Sequence, residues 1–384
     1  MGMIYLDNNG TTFMIDEVKD RIRELLQGPL GNPASLSATG SEASRVLEEA
    51  RYHVSSLIDA SPENVMFTSS GSEANVTAVR AALCASRSRV LVTSELEHAS
   101  IRELLPWLER EGIETRIARA LPSGQVDIEH LETLLDNTVS VVSLQAVNNE
   151  TGVVQPIDRA AQLARKRGGV FHTDAAQAVG KSTFSVEEVD ADFVTFTAHK
   201  LHGPAGVGAL YSAHGWSSFI PLITGGSQEY SARGGTHNLL GVVGFGEAAR
   251  VRRDSLFEAT EKMGSLRTVF EEQILANVED CYVNGGEAPR VCNTSNLLFN
   301  GIDGKALFAQ LQNAGIECSQ SSACTAQYPE PSKVLRAMGL DYHQAFSSIR
   351  FSFSPLNTRE EAEQAAAMVV DKTESIAAVL GGNW

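Results

Sequence analysis

Hydrophobic positions along this chain fall into two alternating rhythms. Short apolar runs rich in β-branched residues predict strands at residues 65–68, 89–93, 139–145, 169–173, 192–197 and 206–211. Between them, apolar residues recur every three or four positions and predict helices at residues 17–26, 41–57, 73–85, 101–111 and 158–167. Unbroken apolar strands separated by amphipathic helices predict a mostly parallel α/β sheet, covered by helices on both faces. A long helical stretch from about residue 239 to 278 predicts a link to a second, smaller unit. That unit holds a predicted strand at 291–299, a helix at 304–314, a polar Pro-bearing loop at 321–332, a strand around Arg350 and a helix from residue 358. No internal repeat or low-complexity tract interrupts the pattern.

Sheets of this kind gather ligands at the carboxyl ends of their strands, and that is where the reactive side chains fall. Lys200 follows the apolar strand in Thr197-Ala198-His199-Lys200, and Gly203-Pro204 then blocks a helix. Desolvation lowers a lysine pKa and frees its amine to attack a carbonyl; the ordinary alternative is a lysine that snorkels to water. Asp174 ends another strand, with Gln177 three residues on; its ordinary alternative is a helix N-cap. A Schiff-base lysine together with a carboxylate facing a pyridinium nitrogen is the pairing that pyridoxal phosphate requires. The turn Ser70-Gly71-Ser72 is small enough for a phosphate to approach a helix N-terminus. His98 stands at a further strand-to-helix junction, where it could stack on a ring and shuttle protons. Cys324 sits in the polar loop, a setting that suits a nucleophilic thiol.

Short motifs recur in order from end to end. They are Tyr5-Leu6-Asp7-Asn8-Asn9-Gly10-Thr11-Thr12, Gly31-Asn32-Pro33-Ala34-Ser35, Ser70-Gly71-Ser72-Glu73, Glu97-His98 and Val147-Asn148-Asn149-Glu150-Thr151-Gly152. After them come Asp174 to Gln177, Ala198-His199-Lys200, Arg233-Gly234-Gly235-Thr236, Ser322-Ala323-Cys324-Thr325 and Ser347-Ser348-Ile349-Arg350-Phe351-Ser352. Together they resemble the cysteine desulfurases of the class V aminotransferase group. The spacing from Cys324 through Glu330-Pro331-Ser332 resembles the subgroup with a long cysteine loop.

The resemblance implies a fold-type I pyridoxal-phosphate architecture. A large domain, residues 14–250, would carry a mostly parallel seven-stranded sheet; residues 1–13 and 251–384 would form a smaller α+β domain with the cysteine loop. It further implies that Lys200 holds pyridoxal phosphate and moves the substrate Cα proton, and that Asp174 pairs with the ring nitrogen. Asn149 and Gln177 would bind the phenolic oxygen, His98 would stack on the ring, and Gly71, Ser72, Thr197 and His199 would hold the phosphate. Thr236 would reach the phosphate from the partner subunit of a homodimer. Arg350, with Asn32 and Asn149 nearby, would bind the carboxylate of L-cysteine. Cys324 would take the sulfur as a persulfide and pass it to an acceptor protein, for iron–sulfur clusters, tRNA thiolation or another sulfur modification. A selenocysteine lyase, another class V enzyme, or a sulfur-delivery partner that mainly docks an acceptor are the alternatives the same residues leave open.

Composition narrows the setting. The 384 residues hold 31 basic and 47 acidic side chains, and the net charge of −16 argues against a nucleic-acid surface. No basic region followed by an apolar run begins the chain, and no apolar span reaches membrane length, so a cytoplasmic protein is expected. Cys84, Cys281, Cys292, Cys318 and Cys324 show neither CxxC nor zinc spacing; no metal site is expected. Cys84 and Cys292 read as buried spacers, and Cys318 as structural. Ser37 stands where the family often has histidine and Phe13 where it often has proline. The chain stops at Trp384, where members serving the iron–sulfur scaffold usually carry a longer tail.

Overall fold

Seven strands form the central sheet of the computed structural model, which describes residues 2–86, 88–217, 219–320 and 330–379. Their order is Val65–Thr68, Gly208–Ser212, Phe193–Thr197, Val170–Asp174, Val141–Gln145, Val90–Ser94 and Glu114–Ala118. Gly208–Ser212 runs antiparallel to both its neighbours, and the other pairs are parallel. Val90–Ser94, Val141–Gln145 and Phe193–Thr197 are buried along their whole length, as a sheet covered on both faces demands. Glu114–Ala118 lies at the edge and buries only Ala118, so its polar sequence carries little strand signal.

The covering helices follow their sequence signals. Gly71–Ala85 starts on Ser70, whose Oγ accepts the Glu73 N–H at 3.1 Å. Ile157–Lys166 buries Ile157, Ala160, Ala161 and Ala164, one stripe of a 3.6-residue period. Helices Ala38–Ser56 and Leu239–Asp254 approach so closely that a Cβ on Gly246 would stand 2.5 Å from the Ala50 Cα.

Three expectations need correction. The single helix over 239–278 is two, Leu239–Asp254 and Leu256–Asn277. The break falls at Ser255, whose Oγ bonds the Val251 carbonyl at 2.7 Å and so competes with the helix ladder. The helix over 101–111 is likewise two short pieces, Ala99–Arg102 and Leu105–Arg110, because Pro106 can only sit in a first turn. Cys84 is exposed, since it falls off the buried stripe of Gly71–Ala85, and Cys292 is half-buried; Cys318 is buried.

The second unit has its own antiparallel sheet, ordered Ser319–Gln320, Ser348–Ser352, Thr294–Phe299 and Cys281–Val283. Phe270, Phe299, Phe351 and Phe353 are buried in a core separate from that of the large sheet, and Ile4 and Leu6 join it. Residues 4–12 therefore bridge the two units. Leu6 and Asn8 bond Glu317 and Ser352 on one side, and Thr12 N–H donates to the His199 carbonyl at 2.9 Å on the other. Among the described residues no helix is long and apolar enough to cross a membrane.

His172, fully buried on Val170–Asp174, bonds Ser143 Oγ and Thr195 Oγ1 through its two ring nitrogens. Burial pushes its pKa down to about 4, so it stays neutral where an unfolded chain would titrate near 6.5. The unfolded chain then binds more protons between those values, and stability falls as pH drops from about 6.5 towards 4. Thermal melts across that window should lose midpoint steadily, and His172→Gln should reduce the slope. An unchanged slope would place its source elsewhere.

Candidate active site

A cavity of about 420 Å³ opens where the carboxyl ends of the central strands meet residues 9–10 and the Arg350 strand. Gly71, Ser72, His98, Asn149, Asp174, Gln177, Thr197, His199, Lys200 and Arg350 all line it. Asn32 does not; it is exposed in a turn, with Oδ1 accepting the Ala34 N–H at 3.0 Å. Thr236 is exposed and does not line this chain's own cavity. Cys324 lies outside the described residues. A larger cavity of about 550 Å³, around residues 300–305 and 341–347, contains none of these side chains.

Lys200 ends the single turn Ala198–Lys200 that follows Phe193–Thr197. Its Nζ donates to two backbone carbonyls, Asn9 O at 2.5 Å and Gly10 O at 2.6 Å. Carbonyl dipoles hold the amine in place without the full charge of a carboxylate. Burial, and then the Arg350 charge, push its pKa down to about 8. A nucleophilic free base is thus present near neutral pH.

Asp174 is both a turn cap and a cavity carboxylate. Its Oδ1 accepts the Ala176 N–H at 3.0 Å, and its Oδ2 accepts Asn75 Nδ2 at 2.7 Å. Asn75 also donates to Ser100 Oγ at 2.8 Å, and Ser100 Oγ lies 2.8 Å from His98 Nδ1. The Ser100 N–H donates to that same nitrogen at 3.1 Å, so neutral His98 carries its proton on Nε2. Desolvation holds His98 below its ordinary pKa even though the ring is solvent-accessible. Asp174, Asn75, Ser100 and His98 thus form one chain of hydrogen bonds under the cavity.

Gln177 is oriented from beneath. The buried Lys181 Nζ donates to Gln177 Oε1 and, at 2.7 Å, to Asn9 Oδ1. With its oxygen occupied, Gln177 turns its NH2 upward; one hydrogen goes to Asn9 O at 3.1 Å. On the opposite wall the Arg350 guanidinium donates to Asn149 O at 2.9 Å and pairs with Asp7 Oδ1 at 2.5 Å. Ser332, at the end of the predicted polar loop, donates to the Glu150 carboxyl in the turn that carries Asn149. Among the described residues, the N–H groups of Gly71 and Ser72 have no acceptor at the start of their 15-residue helix. Thr197 Oγ1 donates to Val207 O at 2.9 Å, and His199 Nδ1 meets Thr11 Oγ1 at 3.2 Å.

This donor set fits pyridoxal phosphate: free helix N–H groups for a phosphate, a carboxylate for a ring nitrogen, an amide NH2 for a phenolic oxygen and an amine for an aldehyde. Asn9, Asn75, Lys181 and Asp7 complete the site although their side-chain chemistry does not single them out. Asn9 and Asp7 do stand in the N-terminal motif, and that was their available signal.

An Aminotransferase class-V family model matches residues 4–365. The cysteine desulfurase of Trichormus azollae is 38% identical over 380 residues, spanning 99% of this chain and 95% of that one. The chain belongs to the cysteine desulfurases of the class-V aminotransferase family. Cysteine desulfurase NifS of Azotobacter vinelandii, a second family relative, is 38% identical over 366 residues, or 95% and 91% of the two chains. A solved NifS-like protein has a TM-score of 0.89 at 31% identity, covering 97% of this chain and all (100%) of that one. The expected fold-type I architecture with its mostly parallel sheet is therefore borne out, and the family's enzymes depend on pyridoxal phosphate.

The depressed Lys200 pKa gives a direct test. Cofactor-free protein mixed with pyridoxal phosphate should gain visible absorbance at a rate that rises with pH, with a midpoint near 8. A midpoint near the ordinary lysine value of about 10.4 would show that burial does not tune this amine. Lys200→Ala should abolish the absorbance.

Proposed function

We propose that the chain converts L-cysteine to L-alanine with pyridoxal phosphate, and passes the sulfur through a persulfide on Cys324 to an acceptor protein thiol. The observation that carries this reading is the convergence of the Lys200 amine, the Asp174 carboxylate and the Arg350 guanidinium on one cavity, in a chain of the cysteine desulfurase family. When bound, pyridoxal phosphate supplies a carbonyl carbon for the substrate amine and a ring that draws electron density from Cα.

The chain's own residues do the rest. Asp174 would hold the ring nitrogen, Asn149 and the upturned Gln177 NH2 the phenolic oxygen, and the helix start at Gly71 and Ser72, with Thr197 and His199, the phosphate. Arg350 has one N–H left on each terminal nitrogen after bonding Asn149 and Asp7, enough to take the substrate carboxylate end-on. Asn149 stands beside that guanidinium. Lys200, its pKa held down to about 8, acts through its free base, removing the Cα proton and returning it. The Cys324 thiolate attacks the substrate sulfur; the S–S bond forms as the Cβ–S bond breaks, and the methyl of alanine takes a proton. His98, with its proton on Nε2, would supply that proton.

Thr236 is exposed on its own chain, which supports a homodimer in which each copy completes the other's phosphate site. The two cores support a large unit centred on residues 14–250 and a small one on 1–13 with 251–384, although Val291, Val334, Leu335, Met338 and Ala345 pack into the large core; the cavity lies at the seam. A cytoplasmic setting and an acceptor in iron–sulfur assembly or another sulfur modification belong to the same reading.

Asp174→Asn should retain cofactor absorbance but lose most sulfide release, because an amide does not stabilise a protonated ring nitrogen. Turnover near the unmodified level would leave Asp174 as a turn cap only. Cys324→Ser should keep the spectral change on adding L-cysteine while forming no alanine. Mass spectrometry of the unmodified protein after substrate should find one extra sulfur on the Cys324 peptide. Sulfur on Cys318 or Cys84, or alanine from the serine variant, would overturn the choice of nucleophile.

A further inference from the structure

Glu229, Tyr230 and Ser231 are consecutive non-glycine residues with positive φ, at 45°, 58° and 66°. Each is disfavoured by contact of its Cβ with the following carbonyl oxygen, and such runs persist only where surrounding contacts enforce them. The contacts here are buried and charged. The Glu229 side chain is 1% exposed and takes a bidentate pair from Arg51 Nη1 and Nη2 at 2.8 and 2.9 Å. It also accepts His237 Nε2 at 2.6 Å and the Phe67 N–H at 2.8 Å. Arg51, itself 3% exposed, lies between the Phe67 and Tyr230 rings, 4.9 and 5.4 Å from their centroids.

The residues between these anchors are held as well. Arg233 pairs with Glu73, in the first turn of Gly71–Ala85, at 2.9 Å. Gly234 N–H bonds Ile223 O at 2.8 Å, and a Cβ on Gly234 would meet the Gly225 backbone at 2.6 Å. Thr236 is left exposed between fixed neighbours, in a segment that also exposes Ile220 (51%), Leu222 (38%) and Ile223 (39%). Exposed apolar residues beside an anchored, exposed turn suit contact with another protein surface.

We propose that Arg51, Glu229 and His237 are positioning residues: their buried clamp holds the strained turn so that it presents Thr236 to the cofactor site of a second copy of this chain. The inference rests on the shared-site reading above. Burial alone would raise the Glu229 carboxyl, yet hydrogen bonds from His237 and Arg51 hold it near 2, so the clamp keeps its charge across the working pH range.

The test uses Glu229→Gln, which keeps size and removes the charge. By itself it should lose bound cofactor on desalting about tenfold faster or more, read as visible absorbance, as expected for a lost charged hydrogen bond. Co-expressed with a Lys200→Ala chain and purified through two different tags, the mixed dimer has one site built from Lys200 of the first chain and the turn of the second. That site should retain cofactor and release sulfide, at half the level of unmodified dimer. A mixed dimer that loses cofactor as fast as Glu229→Gln alone would place the defect within its own chain and overturn the inference. The pair Thr236→Ala with Lys200→Ala separates the two readings. If it is rescued while Glu229→Gln is not, the clamp fails alone; if neither is rescued, the shared site fails. Should Glu229→Gln not fold, His237→Gln, which leaves the Arg51 pair intact, takes its place in the same mixture. If neither forms a mixed dimer, the clamp serves folding rather than presentation, and the inference is overturned.

Discussion

Asn9 is the point on which the site hangs. Its backbone carbonyl accepts both Lys200 and Gln177, its side-chain oxygen accepts Lys181 and Asn293, and its amide donates to Asn149 O and Thr294 Oγ1. One buried residue therefore satisfies groups from the lysine turn, the Asp174 strand end, the Asn149 turn and the second unit. A side chain with both donor and acceptor ends is required, and aspartate would lose the donor half. Because so many buried polar groups share this partner, removing it would strand several at once.

Charge around Asn9 is deliberately uneven. The Arg350 charge opposes protonation of both Lys200 and Lys181, and burial pushes Lys181 well below its usual range. Negative charge is sparse. Burial raises Glu97, next to His98, to about 8, so it sits neutral between Ser94 Oγ and the Gln145 N–H. Asp174 stands in the cavity wall, and Asp7 pairs with the Arg350 that lines it. Burial and the Arg350 charge keep the lysine amine reactive, and the Arg350 guanidinium and free helix N–H groups suit anionic groups such as a phosphate ester and an amino-acid carboxylate.

The strands of the central sheet are legible in the sequence because burial on both faces writes them as unbroken apolar runs; Glu114–Ala118 escapes because an edge strand need not be apolar. The break at Ser255 escapes because neither proline nor glycine marks it. Lys200, Asp174 and His98 are legible because each stands at or just past a strand end, where the backbone geometry delivers it to the cavity. Lys181 and Asn75 are not. Their importance lies in which atoms they meet, Gln177 Oε1 and Asp174 Oδ2, and periodicity carries no record of such meetings. The clamp on Glu229 is hidden for the same reason, since its partner Arg51 is 178 residues distant.

The bridge made by residues 4–12 has a consequence for biosynthesis. Asp7 pairs with Arg350 across 343 residues, and Asn8 with Ser352 across 344. Residues 4–12 must therefore wait until the strand holding Arg350 has been made before they find their places. Until then Asn9 has no seat, and the lysine turn lacks the carbonyls that hold its amine. A nascent or prematurely terminated chain could form much of the central sheet and still lack a working pocket. Competence to take up a reactive aldehyde is thus withheld from incomplete products, by topology alone.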